Sequence, residues 1–97
     1  MSERGSGRTS RQLAALPDGG VFIVPHGAMA DHCRHLLKEA DRRPDAVRLV
    51  IVNQLGDADR LRGTPRGTPW AIDHGFSAGA SRRGRQEAED ARMILDR

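Results

Sequence analysis

Two His-Gly pairs, His26-Gly27 and His74-Gly75, follow short apolar runs, and Asp73 stands directly before the second pair. An imidazole changes charge near neutral pH, so at such a position it can hold an anion or move a proton. In parallel sheets, ligands bind beyond the carboxyl ends of the strands, where the strand order reverses. With the first strand beside the third, in the order 2-1-3, both histidines face one crevice. A helix starting near Ala28 adds free N–H groups and a partial positive charge there, a seat for phosphate or carboxylate. His26, Gly27, Ala28, Asp73 and His74 are therefore the candidate ligand-binding residues. The plainer alternative is that the glycines only let the chain turn while the histidines satisfy nearby backbone groups.

Arginines supply a second set. Arg62 precedes a loop in which Gly-Thr-Pro repeats around Arg66, and Arg82, Arg83 and Arg85 open a helix, where cations oppose the helix dipole. A phosphate or an acidic partner near these five side chains would relieve that arrangement. Base stacking has little to draw on, because the aromatic residues are only Phe22, Trp70 and Phe76, and the first two are expected in the core. No helix-turn-helix, RNA-recognition or zinc-finger pattern is visible. Nucleic-acid binding through the arginine clusters stands as the alternative function, with solvated surface arginine as its plain counterpart.

Other chemistries fail on spacing. Pro25-His26-Gly27-Ala28-Met29-Ala30-Asp31 lacks the glycines, Lys and Ser/Thr of a Walker A loop, so ATP hydrolysis is not expected even though Trp70-Ala71-Ile72-Asp73 imitates a Walker B strand. Gly75-Phe76-Ser77-Ala78-Gly79 matches the G-x-S-x-G nucleophile elbow. An α/β-hydrolase places its catalytic histidine after that serine, whereas all four histidines precede Ser77. A small hydrolase thus ranks below the binding readings, and no catalytic residue is assigned. His32, Cys33 and His35 cannot converge on one ion from a helix, since Cys33 falls on the apolar stripe and both histidines on the polar side. No metal or cofactor is expected.

The elements that position these residues follow from periodicity. Thr9 or Ser10 is the expected N-cap of a short helix through Gln12 to Leu16, ended by the turn Pro17-Asp18-Gly19-Gly20. Val21 to Pro25 reads as a strand buried on both faces. Met29, Cys33, Leu36, Leu37 and Ala40 form one helical stripe between Ala28 and Ala40. Ala46 to Val52 is a second buried strand at βαβ spacing, parallel to the first by a right-handed crossover. A helical turn over 57–62, a loop, a short strand at Trp70 to Asp73 and a closing helix from Arg83 to Leu95 complete the pattern. The fold class is α/β: a minimal three-stranded, mostly parallel sheet in the order β-α-β-α-β-α, half of a Rossmann-like or P-loop-like unit. Its open edges point to a homodimer or a protein partner.

Composition sets the limits. The 97 residues are 37% hydrophobic and 30% charged, with mean hydropathy -0.60, enough for one small domain over 10–97. Residues 1–9 read as a flexible, disordered basic tail, because little in them can be buried. The net charge of +3 is too mild to identify a nucleic-acid binder. With Cys33 as the single cysteine, no intrachain disulfide forms and a reducing compartment is expected. No apolar run approaches the ~20 residues of a membrane span and no secretory h-region opens the chain, so the bacterial cytoplasm is the expected location.

Taken together, Thr9-Ser10-Arg11-Gln12-Leu13, Pro17-Asp18-Gly19, Val21-Phe22-Ile23-Val24, Leu49-Val50-Ile51-Val52, Arg62-Gly63 and Ile72-Asp73-His74 resemble a diffuse family of small phage and prophage proteins. The resemblance covers Thr9 to His74, departing at Gly75 where alanine is usual. It implies a degenerate P-loop-like fold and a viral accessory context without a mechanism. The expected function is that of a non-enzymatic phage or prophage accessory protein, a small module that binds a protein partner or an anionic, nucleotide-like ligand at the carboxyl edge of its sheet.

Overall fold

The computed structural model describes residues 3–96, and the side chains of 8–76 and 78–96. Three short strands, β1 (Val21–Val24), β2 (Arg48–Ile51) and β3 (Trp70–Ile72), form one parallel sheet in the order β2-β1-β3. Val21 pairs with Arg48 on one side and Trp70 on the other, and Ile23 with Val50 and Ile72. β1 is apolar at every position and buried at every position because, as the middle strand, it is covered on both faces.

Two helical layers provide the cover. Phe22 and Val24 face α1 (Glu3–Ala15) and α2 (Gly27–Glu39), packing with Leu13, Leu16, Cys33 and Leu37. Val21 and Ile23 face the opposite layer, made by a 3-10 helix (Asp57–Leu61) and by α4 (Arg82–Leu95), where they meet Leu61, Ala91 and Ile94. Alternation along one strand thus divides the core in two. A short helix, α3 (Phe76–Gly79), links β3 to α4. Gly84 lets α4 press onto the end of β2, since a Cβ there would lie 3.3 Å from the Val52 carbonyl oxygen. Buried Glu87 reaches from α4 to accept the Ala58 N–H at 3.0 Å, closing the start of the 3-10 helix. Among the described residues, no helix is long and apolar enough to cross a membrane.

The small α/β fold and its parallel sheet agree with the expectation, and four local features differ from it. Met1 and Ser2, at the head of the expected tail, lie outside the described residues, while from Glu3 onward the backbone is helical. Thr9 is not an N-cap: it is 2% exposed on the inner face of α1, where its hydroxyl is used in a tertiary contact. The strands are shorter than their apolar runs, because Val47 and Val52 are buried beyond the paired segment. Trp70 and Phe76 also exchange the roles expected of them. Phe76 is in the core, and Trp70 is half-buried with the Arg92 guanidinium 6.0 Å from its ring centroid.

Candidate functional site

The order β2-β1-β3 brings the ends of β1 and β3 side by side, the crevice position of open α/β sheets. Asp73 stands at the end of β3, where its N–H donates to the Ile23 carbonyl at 2.9 Å and its carbonyl accepts the Phe76 N–H at 2.9 Å. These bonds pin the backbone on both sides of the side chain. The carboxylate is 2% exposed. Its Oδ1 accepts from the Thr9 hydroxyl at 3.3 Å, and its Oδ2 is buried without a hydrogen-bond partner. An orphaned carboxylate oxygen is costly in a protein interior and calls for an explanation.

His74 Nε2 lies 3.3 Å from the same Thr9 hydroxyl. A threonine hydroxyl has one proton, and here it goes to Asp73, so His74 meets it with Nε2–H as donor. Gln12, one turn further along α1, holds the backbone beneath. Its side-chain N–H donates to the Ile72 carbonyl at 2.9 Å, and its Oε1 accepts the His74 N–H at 2.9 Å. This carboxamide makes the two bonds that a neighbouring strand would make to the outer edge of β3. Cys33 packs on the same face, its thiol pushed up to about 11 first by burial and then by the negative charge of Asp73, with Arg34 acting in the opposite direction. It is therefore an inert thiol near neutral pH.

The Gln12 clamp gives a test with a clear sign. Gln12→Glu keeps the acceptor for His74 but sets a carboxylate oxygen against the Ile72 carbonyl, where Gln12→Ala merely leaves both groups to water. Urea unfolding is expected to show Gln12→Glu about 1–2 kcal/mol less stable than wild type and less stable than Gln12→Ala. Equal stability of the two variants would remove the paired bonds from the account.

Beside Asp73 and His74, an open cleft of about 540 Å³ separates β3 from α4. Arg82, Arg85, Glu89 and Arg92 line it from the helix. Their spacing of i, i+3, i+7 and i+10 is one face of α4. Ser81 caps this helix, its hydroxyl accepting from the Gly84 N–H at 3.0 Å, and the first turn contains no acid. Arg85 also donates to the Ala80 carbonyl at 3.0 Å.

The other residues singled out in the sequence are placed elsewhere. His26 is the N-cap of α2, its Nδ1 accepting from the Met29 N–H at 3.2 Å. Its ring lies under α3, where a Cβ on Gly79 would come within 3.5 Å of Nε2. Gly27 and Ala28 follow as the exposed first residues of α2, and the cleft beside Asp73 and His74 is lined by α4 in place of these three. The five arginines divide as well. Arg82 and Arg85 reach the cleft, whereas Arg83 lies off its lining and Arg66 is exposed on the Gly-Thr-Pro loop. Arg62 pairs with Asp59 at 2.8 Å and borders a separate hollow with Asp90 and Met93. His35 pairs with Glu39 at 3.2 Å, pointing away from buried Cys33. The side chain of Ser77, centre of the G-x-S-x-G match, lies outside the described residues. Sequence reasoning missed Thr9, Gln12 and Arg92. The available signal was two polar residues, Thr9 and Gln12, on the same helical face as Leu13 and Leu16.

Compared with protein-family models, with curated proteins and with solved structures, the chain has no match in any of the three.

Proposed function

We propose that this protein is a small, non-enzymatic binding module that takes a phosphate-bearing, nucleotide-like ligand in the cleft between β3 and α4. The observation that carries the reading is the convergence of Arg82, Arg85 and Arg92 on the cleft that also holds Asp73 and His74. Three guanidinium groups outweigh the Asp73 and Glu89 carboxylates there, and the amino end of α4 adds a partial positive charge. An anion relieves the repulsion among these groups, and guanidinium forks suit phosphate oxygens. The Asp73 carboxylate is closed to solvent on the Thr9 side of β3, so the guanidinium groups and the helix end carry the binding. The resemblance to small phage proteins supports an accessory role in a bacterial cytoplasm.

A thermal-shift and calorimetric panel of nucleoside mono-, di- and triphosphates, in phosphate-free buffer at low salt, tests this. At least one nucleotide is expected to raise the melting temperature, by about 2.7 kcal/mol of stabilisation at a hundredfold excess over Kd. In Arg82→Ala/Arg85→Ala the affinity is expected to fall roughly a hundredfold. A panel without effect, or a response unchanged in the double variant, defeats the reading. If short DNA or RNA binds instead, with affinity falling steeply as salt rises, the arginine-based nucleic-acid function takes its place.

A further inference from the structure

The two edges of the sheet are finished differently. Each edge strand turns alternate N–H and C=O groups away from its neighbour. On β3, Gln12 takes the outward Ile72 carbonyl and His74 N–H. On β2, the Arg48 N–H donates inward to the Gly20 carbonyl at 2.8 Å, and the Val52 N–H to the Val24 carbonyl at 3.0 Å. Leu49 and Ile51 therefore point their backbone groups outward. Among the described residues, no side chain or loop takes these groups as Gln12 takes those of β3. Both side chains are half-buried on the face shared with α1 and α2.

We infer that this edge seats a second copy of the chain, with β2 antiparallel to its counterpart about a two-fold axis at Val50. Facing residues of an antiparallel pair can exchange both N–H···O bonds. With Val50 on the axis, Leu49 faces Ile51 of the second copy and Ile51 faces its Leu49. All the outward groups of both residues are then bonded, and the facing side chains are apolar on one face. Other registers lose this match. An axis at Ile51 sets Leu49 against Asn53, whose N–H is already taken by the Asp57 carboxylate at 2.8 Å. An axis at Leu49 brings in Val47, which lies outside β2 and is 1% exposed. The contact is self-complementary and closes on itself, as a two-fold dimer must. A four-residue edge buries less than the roughly 1,200 Å² of a standard stable interface, so the dimer is weak, with Kd on the order of tens of micromolar. This pairing uses β2, at the opposite edge from the β3 cleft, and does not depend on the ligand.

Sedimentation of the full chain from about 5 to about 500 µM brackets such a Kd. Wild type is expected to pass from monomer to dimer. Ile51→Pro removes one outward N–H and leaves the inward bonds of Val50 and Val52, an edge position that tolerates proline. It is expected to weaken dimerisation roughly tenfold or more with the circular-dichroism spectrum unchanged. Val50→Cys reports the register. Facing residues without mutual hydrogen bonds have Cα atoms ~4.5 Å apart, within the range of a disulfide, so mild oxidation is expected to crosslink Val50→Cys chains to each other. Buried Cys33 does not compete. A wild-type chain that stays monomeric throughout overturns the proposal. So does a dimer that ignores Ile51→Pro and leaves Val50→Cys uncrosslinked, because its interface lies elsewhere.

Discussion

Replacing Arg42 by alanine is expected to remove about 3 kcal/mol of stability and to lower the melting temperature by on the order of 12–24 °C. Arg42 closes two helices at once. Its backbone N–H donates to the Leu37 carbonyl at 2.8 Å, while Asp41 takes a left-handed conformation at φ 60° and donates to the Lys38 carbonyl at 3.0 Å. Those are the two bonds of a Schellman motif ending α2. Its side chain crosses to the end of α1, donating to the Leu13 carbonyl at 3.0 Å, the Leu16 carbonyl at 2.9 Å and the Asp18 carboxylate at 2.8 Å. Only 20% of that side chain is exposed, so water replaces these partners poorly.

Alanine keeps the backbone motif and loses the three side-chain bonds together with the cation at the carboxyl end of α1. Arg42→Lys separates geometry from charge. Its ammonium can hold Asp18 but cannot span two carbonyls as a planar fork does, so it is expected to recover less than half of the loss. Thermal melts of the two variants decide the matter. A loss below about 0.5 kcal/mol for alanine would place Arg42 among ordinary surface ion pairs. Because Gln12 ties the middle of α1 to β3, the double variant Arg42→Ala/Gln12→Ala also shows whether the helix is held as one unit. A non-additive loss means that it is.

What could be read from the sequence was whatever a single element decides. The unbroken, β-branched and aromatic run Val21–Val24, bounded by Gly and Pro, reads as a strand covered on both faces, and the stripe through Cys33 and Leu37 fixes which side of α2 is inner. The order 2-1-3 was the condition on which the candidate crevice rested, and it is the order found. Whatever depends on two elements meeting was hidden. Thr9 looks like a cap because threonine caps helices, and only the docking of α1 against β3 turns its hydroxyl inward. Arg82 and Arg83 are neighbours in sequence but stand about 100° apart on α4, so one lines the cleft and the other does not. The grouping of Arg62 with them failed for a similar reason, since the loop path to β3 carries Arg62 to another hollow. Hydrophobicity does not separate Trp70 from Phe76, and only the packing of the α4 layer puts Phe76 in the core and leaves Trp70 half-buried.

Asp73→Asn is expected to raise stability and to leave nucleotide affinity nearly unchanged. The wild-type carboxylate is 2% exposed, holds one long hydrogen bond and leaves Oδ2 without a partner. Asparagine has nearly the same shape, still accepts from Thr9, and replaces a poorly solvated charge by a neutral amide. A gain of about 1 kcal/mol follows, or roughly 4–8 °C in melting temperature for a chain of this size. The same exchange leaves Arg82, Arg85 and Arg92 of the cleft untouched. Nucleotide affinity is therefore expected to stay within about threefold of wild type. The sign of the stability change separates the two accounts of this residue. A gain makes the buried carboxylate a net cost to the fold. A clear loss makes Asp73 the anchor of Thr9 and His74. The thiol of Cys33 confirms that the charge has gone: burial and Asp73 both hold it at about 11, so without the carboxylate it ionises at lower pH, seen as earlier thiolate absorbance.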